Sequence, residues 1–300
     1  MRLGIIWLKA FRLRTLPLAL SATLLGSFLG YADQKFKWGV LVFGTLTTLF
    51  LQILSNLAND YGDAKKGTDN ENRLGPLRVT QSGLVSRRQM KMMILLFVLL
   101  SFISGSLLIW TGLGTSKLLS YAVFFLLGFS AIFAAVKYTI GSRPYGYVGF
   151  GDIMVFVYFG ILGVAGTYFL HTQSFHLSIL LPASSIGLLS VGVLNINNMR
   201  DHENDAVNGK FTLVVRMGVK WAKAYHVVLL FTAFLLGLAY TLIQYESIIQ
   251  LMFFLSIPLL ASDINKVLTN TVPVELNTEL KKLAVATLVF SVSFGLGLIL

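Results

Sequence analysis

The sequence predicts an all-α polytopic membrane protein: nine transmembrane helices in a bundle around a central cavity, N-terminus inside and C-terminus outside. Three observations carry this. Of 300 residues, 55% are hydrophobic and 12% charged, whereas a soluble domain carries about 25% charged residues. The charge-free runs are long enough to cross a hydrocarbon core, which takes roughly 20 apolar residues. The cations, finally, crowd into alternate connections. Cysteine is absent, which excludes a disulfide framework, a thiolate metal site and a cysteine nucleophile.

The runs free of Asp, Glu, Lys and Arg are Thr15–Ala32, Trp38–Asn59, Met92–Ser116, Leu118–Val136, Ile153–Met199, Ala224–Tyr245, Ser247–Ser262 and Leu283–Leu300. Ile153–Met199, at 47 residues, makes two crossings and breaks at the polar stretch His171–Ser178. The runs are continuously apolar rather than alternating, which argues against strands. Orientation follows from the cations. With the N-terminus inside, the outer connections hold only Lys35, Lys37 and Lys117, and the other 21 lysines and arginines, from Arg2 onward, fall inside. The net charge of +11 is therefore loop charge, and no nucleic-acid partner is expected. The basic N-terminus reads as the start of the first helix rather than a cleaved signal. Residues 1–300 are expected to form a single integral-membrane domain in a lipid bilayer.

The acids are equally uneven. One cluster reads Asn56-Leu-Ala-Asn59-Asp60-Tyr-Gly-Asp63-Ala-Lys65-Lys66-Gly-Thr-Asp69 and runs on to Glu71. The other reads Asn195-Ile-Asn197-Asn198-Met-Arg200-Asp201-His-Glu203-Asn-Asp205. Each begins at the inner end of an apolar run. On a helix, Asp60 and Asp63 share a face, as do Asn197, Asp201 and Asp205. Like charges that close repel unless a cation sits between them. Oxygen donors without His or Cys suit magnesium, which completes its shell with water and substrate phosphates. The metal-ligand candidates are Asn59, Asp60, Asp63, Asn197, Asp201 and Asp205. The buried asparagines could equally be satisfied by interhelical hydrogen bonds.

Each cluster is followed by a glycine–lysine element, Lys66-Gly67 or Gly209-Lys210, and then by arginines: Arg73 and Arg78 after the first, Arg216 after the second. Acids for a metal and bases for phosphate oxygens make two half-sites for one anion. Lys65, Lys66, Arg73, Arg78, Lys210 and Arg216 are the candidate diphosphate clamps. A third inner segment, Lys137 to Asp152, mixes cations, tyrosines and glycines, and its Lys137 and Tyr138 are substrate-binding candidates. The four histidines show no ligand spacing; His171 and His176 are expected in an outer loop.

These residues together resemble the UbiA-type intramembrane prenyltransferases. The resemblance rests on Asn59-Asp60-x-x-Asp63 and Asp201-x-x-x-Asp205. It also rests on Arg12-Leu-Arg-Thr-Leu-Pro17, Arg73-Leu-Gly-Pro76 to Ser82-Gly83, Tyr145-Gly-Tyr-Val-Gly-Phe-Gly-Asp152 and Gly209-Lys-Phe-Thr-Leu-Val-Val-Arg216-Met-Gly218. The spacing of five residues between Asp63 and Asp69 is similar to the branch acting on 1,4-dihydroxy-2-naphthoate in menaquinone synthesis.

The resemblance implies transfer of a polyprenyl group from polyprenyl diphosphate to that naphthoate, with loss of diphosphate and carbon dioxide; the product is the prenylated diol, which a separate two-electron oxidation converts to demethylmenaquinone. It implies two magnesium ions bridging the diphosphate, Asp63, Asp69, Asp201 and Asp205 in the catalytic centre, and Arg12 on the naphthoate carboxylate, with Arg14 or Lys137 as alternatives. Asp69 or Asp152 would serve if a general base is needed. It also implies a bacterial plasma membrane, with the site on the cytoplasmic side. Two readings compete: a prenyltransferase for hydroxybenzoate or homogentisate, and a cation-coupled transporter, whose acids would lie near mid-membrane. Oligomeric state and prenyl chain length are not legible.

Overall fold

The computed structural model describes residues 3–70, 73–115 and 118–300. Arg2, Glu71 and Lys117, counted in the charge pattern, lie outside the described residues. Among the described residues there is no strand, and nine helices are long and apolar enough to cross a membrane. They are α1 (Gly4–Ala32), α2 (Trp38–Lys66), α3 (Arg87–Leu113), α4 (Leu118–Lys137) and α5 (Gly151–Thr172), followed by α6 (Leu177–Val207), α7 (Val219–Ile243), α8 (Ile248–Thr269) and α9 (Pro273–Ile299). In lipid the backbone must satisfy its own hydrogen bonds, and helices do so within one segment.

The spans differ from the charge-free runs where polar residues are drawn into helix. Helix begins at Leu3, not Thr15, and α1 is broken once, at Arg12, before a 3-10 turn over Leu13–Thr15. The helices α2 and α6 continue past their apolar runs to Lys66 and Val207, so the acids of both clusters stand on helices. Gly67 ends α2 at φ +78°, a conformation that costs glycine least. Ser86 and Gln89 form a reciprocal cap on α3, at 3.2 and 2.9 Å.

The break between α5 and α6 falls within the expected stretch, but His171 is a correction. It closes the last turn of α5 instead of lying in a loop. Its Nδ1 accepts from the Lys37 amide at 3.0 Å, and its Nε2 pairs with Ser27 at 3.0 Å. The Lys37 ammonium caps the carbonyls of Gly112 and Leu170, at 2.6 and 3.1 Å. This end of the bundle is thus pinned, while the other carries the acids.

One apolar cluster joins α1, α5, α6, α7, α8 and α9 through Leu25, Tyr168, Ile186, Leu230, Phe253, Phe290 and Phe294. A second joins α2 to α3 through Leu54, Leu57, Met90 and Phe97. Lipid tails are as apolar as leucine, so close helix contact depends on small residues. A Cβ at Gly160 would lie 2.7 Å from the Ala183 carbonyl and from Gly187 Cα, bringing α5 onto α6. Between Phe156 and Gly166, α5 winds as a π-helix, a rare form that is frequent at functional sites. This stretch turns Tyr158, Phe159, Leu162 and Gly163 toward a central chamber. Gly160→Val should overpack the α5–α6 contact by about 1–3 kcal/mol, read as a lower melting temperature in detergent; an unchanged melting temperature would contradict this packing.

Candidate active site

The chamber has a volume of about 300 Å³. Arg12, Asn59, Asp63, Arg78, Asn197 and Lys210 line its polar end, and Ala22, Leu108, Ile109, Phe124 and Leu162 its apolar depth. Its walls come from several helices, among them α2 and α6, whose ends carry the two acidic clusters.

The first cluster sits in the last two turns of α2. Asp63 is 3% exposed; its Oδ1 accepts from the Tyr147 hydroxyl at 2.8 Å and its Oδ2 from Arg78 at 3.0 Å. Asp60 lies under the following loop, 3.4 Å from the Thr80 amide. Asn59 accepts from Thr139 at 3.2 Å. Asp69 stands past the helix end and is ion-paired to Arg73 at 3.0 Å and to Arg78 at 3.3 Å. Burial first, and then the Asp63 charge, push the Asp69 pKa up to about 7 against the pull of Arg73 and Arg12.

The second cluster occupies the last turns of α6. Arg200, fully buried, grips Asp201 with Nε at 2.8 Å and with Nη2, and also reaches Asn197 at 2.9 Å and Asn277 of α9 at 2.8 Å. Lys210 folds back onto Asp205 at 3.2 Å. Burial works against its ammonium, but Asp205, Asp63 and Asp201 outweigh it and hold its pKa above the usual lysine value.

The two clusters meet. Arg73, 3.0 Å from Asp69, also lies 3.7 Å from Asp201. Asn204 donates to the Thr68 carbonyl at 2.8 Å, and Asn70 reaches Asn208 at 3.5 Å. Tyr147 bridges Asp63 and Thr68, with Lys66 over its ring at 4.3 Å and Lys210 at 5.8 Å.

Of the expected clamps, Arg73, Arg78 and Lys210 belong to this cluster. Arg216 is a correction: it is exposed and donates to the carbonyls of Val148 and Phe211, fastening two connections away from the acids. Lys65 is exposed, and Lys66 touches only the rim through Tyr147. Tyr138 lines the chamber, whereas Lys137 and Arg14 are not on its wall. Asp152 accepts from Tyr225 at 3.2 Å, apart from the clusters. Asn56 and Asn195 take the interhelical alternative, donating to the carbonyls of Phe11 at 3.0 Å and Ala222 at 2.9 Å.

Sequence reasoning missed Arg200, counted only as loop charge, and Tyr147, quoted only within a string. Neither differs in type or spacing from an ordinary membrane-edge residue. Arg12 has a left-handed backbone at φ +50°, which costs a non-glycine residue about 1–2 kcal/mol. The break turns its guanidinium to the chamber wall, where Nη2 has no partner. Such strain is retained mostly at functional positions.

The donor set fits a hard divalent cation: it is all oxygen, and among the described residues the buried Asp205 Oδ2 accepts no hydrogen bond. Among the described residues, no three of His, Cys, Asp and Glu converge as a complete metal site. A magnesium ion usually takes only one or two carboxylates and completes its shell with water and phosphate oxygens.

A helical membrane bundle with paired carboxylates at the mouth of an apolar chamber is the architecture of an intramembrane prenyltransferase. The chain belongs to the UbiA prenyltransferase family, whose model matches residues 19–271; this sets aside the transporter. It is 46% identical over 296 residues to the 1,4-dihydroxy-2-naphthoate octaprenyltransferase of Haemophilus influenzae, covering 98% of this chain and 96% of that one. Its fold is similar to the apo structure of a UbiA homolog from Aeropyrum pernix, at 17% identity and TM-score 0.70 over 96% of this chain and 98% of that one. It is also similar to a UbiA homolog from Archaeoglobus fulgidus bound to GPP and Mg2+, at 17% identity and TM-score 0.63 over 98% and 99%.

Removing Arg200 would leave Asp201 buried beside a distant Arg73 only. Breaking a buried pair by deleting one partner costs about 3–5 kcal/mol. Arg200→Met should therefore lower the melting temperature and cut activity at least tenfold; wild-type values for both would show that Arg200 is dispensable.

Proposed function

We propose that this chain transfers a polyprenyl group from its diphosphate to 1,4-dihydroxy-2-naphthoate, releasing diphosphate and carbon dioxide, at a site on the cytoplasmic side of a bacterial plasma membrane. The carrying observation is the meeting of two acidic helix ends through Arg73 at the mouth of an apolar chamber. The naphthoate acceptor is supported by the name of the Haemophilus influenzae relative, and magnesium by the Archaeoglobus fulgidus homolog bound to GPP and Mg2+. Residues 1–300 act as one integral-membrane domain.

Asn59, Asp60 and Asp63 from α2, with Asn197, Asp201 and Asp205 from α6, would hold magnesium, two ions being the number two half-sites suggest. When bound, magnesium neutralises charge on the diphosphate and makes it a better leaving group. The chain's own part is an exchange of partners. Arg78 now lies on Asp63, Arg73 on Asp69 and near Asp201, and Lys210 on Asp205. Cationic side chains released from their acids turn to the phosphate oxygens, so buried charge stays balanced throughout. Asp69, outside the ligand set, keeps Arg73 and Arg78 aimed at the anion.

As the allylic C–O bond breaks, its electron pair leaves with diphosphate. The π faces of Tyr138, Tyr145, Tyr158 and Phe159 on the chamber wall stabilise the allylic cation. The enclosure keeps water from it. Arg12, with its free Nη2, holds the naphthoate carboxylate. Ring carbon attacks, and departure of carbon dioxide from the substituted carbon restores aromaticity, so no base is required. A chamber of about 300 Å³ is at the small end for even a drug-sized ligand. A polyprenyl tail must therefore run on between helices into lipid.

Membranes holding the chain, given polyprenyl diphosphate, magnesium and a panel of dihydroxynaphthoate, hydroxybenzoate and homogentisate, test the reaction. Prenylated naphthoate should form, and chelation with EDTA should stop it. Asp63→Ala and Asp201→Ala should each reduce transfer more than a hundredfold while inserting normally; near-normal turnover in both would defeat the assignment. Because the chain lacks cysteine, single cysteines report orientation. Lys65→Cys should label only from the cytoplasmic side and Gln34→Cys only from the opposite one; the reverse pattern would move the site to the other face.

A further inference from the structure

The polar face of α2 does not stop at the acidic cluster. Gln52, Asn56, Asn59 and Asp63 follow one another at spacings of four, three and four, the repeat of a single helix face. All four line the chamber. At 1.5 Å per residue, Gln52 lies about 16 Å along the axis from Asp63, well beyond the diphosphate end.

The Gln52 amide is not free to choose its orientation. Its Nε2 donates to Thr15 Oγ1 at 3.2 Å and to Asn56 Oδ1 at 3.4 Å. Thr15 is held in turn, since its hydroxyl donates to the Arg12 carbonyl at 3.0 Å and accepts from Asn56 at 3.1 Å. With both amide hydrogens committed, the other end must present the carbonyl. Gln52 is 9% exposed, and its Oε1 has no hydrogen-bond partner among the described residues. A buried acceptor left unpaired costs about 1–3 kcal/mol, so the native fold maintains this vacancy at a price that a donor would refund.

We infer that Gln52 is a specificity residue for the acceptor: its carbonyl, pinned by Thr15 and Asn56, accepts a hydrogen bond from a ring hydroxyl of a hydroxylated aromatic carboxylate. The inference rests on the reaction proposed above and adds the group that reads the acceptor's far side. In dihydroxynaphthoate the hydroxyl beside the carboxylate is already engaged with it. The hydroxyl across the ring has a free proton, and it is the one directed to Gln52 while Arg12, on the same hydrogen-bonded turn, takes the carboxylate. The bond breaks no covalent link and moves no proton. It fixes the ring so that the carboxylate-bearing carbon faces the allylic cation. A site built to bond a hydroxyl discriminates strongly against the analogue that lacks it.

The test is a ratio. Turnover is measured as kcat/KM with 1,4-dihydroxy-2-naphthoate and with 1-hydroxy-2-naphthoate, for wild type and for Gln52→Met. The missing hydroxyl also weakens the ring as a nucleophile, but equally in both proteins, so that effect cancels. Gln52→Met should reduce the preference for the dihydroxy acceptor at least tenfold and raise its KM, with the KM for polyprenyl diphosphate unchanged. Thr15→Val leaves Gln52 in place but removes the hydroxyl that pins it. It should give a smaller loss in the same ratio, and it carries the test if Gln52→Met does not fold. An unchanged ratio, with both acceptors slowed equally, would reduce Gln52 to a structural residue. Should wild type prenylate only a different hydroxylated acceptor, the proposed reaction fails, and the same ratio with that acceptor and its deoxy analogue still decides on Gln52.

Discussion

Asp60 and Asp63 lie in the closing turns of α2, Asp201 and Asp205 in those of α6. A helix C-terminus already carries partial negative charge, and each of these carboxylates is no more than 4% exposed. Local electrostatics and desolvation therefore both oppose the charges that the sequence puts there. Cations must be held against them, and nearly everything distinctive about this end of the bundle supplies them. The connection after α2 exists to bring Arg73 and Arg78 back over the helix that precedes it. The turn after α6 brings Lys210 back onto Asp205. Arg200 is the extreme case, a guanidinium with no exposed surface, held by Asp201, Asn197 and Asn277 so that α6 and α9 share one charge pair.

The same constraint joins the two halves of the site. Arg73 sits between Asp69 and Asp201, and a base serving one acid just past the end of α2 and another on α6 fixes their separation more firmly than apolar contact could. In lipid there is little hydrophobic force to hold helix ends together. The ion-paired mouth is thus a structural clasp as well as a site. An incoming diphosphate with its cations presents the same charges in a different order, so it can replace the clasp without opening the bundle.

How much of this was legible in the sequence depends on range. The nine spans were readable because hydrophobic length is a local property, summed over one segment. The pairing of Asp63 with Asp201's helix was readable too, since two oxygen-rich motifs on the same side of a membrane have few reasons to exist apart. Partner choice was not. Arg216 and Arg78 look alike as loop arginines, and only the fold sends one to Asp63 and the other to the carbonyls of Val148 and Phe211. The buried pair His226–Asp263, at 2.7 Å between α7 and α8, is a further case. It lies in helices that otherwise offered nothing but hydropathy, and its members stand 37 residues apart. Gln52 was passed over for the opposite reason: a single amide in an apolar run resembles a residue that has merely found a neighbour.

The depth of the chamber follows from these placements. An allylic cation needs π faces and no water; its leaving group needs charge and water-like donors. One cavity can satisfy both only if polarity changes steeply along its length, and α2 builds that change on one face, from Asp63 through Asn59 and Asn56 to Gln52. The first step trades a formal charge for an amide, and each amide but the last has its carbonyl satisfied by a neighbour: Asn59 by Thr139, Asn56 by Gln52. The gradient ends on the one carbonyl in this series that no described residue satisfies. Beyond it the hydroxyls of Thr47, Thr48 and Thr167 are spent on carbonyls of their own helices, and the rest of the wall is largely glycine, alanine, leucine and phenylalanine. On the reaction proposed above, the acceptor is oriented before that boundary, between Arg12 and Gln52, where the break in α1 brings strained backbone, one unpaired donor and one unpaired acceptor to the same wall.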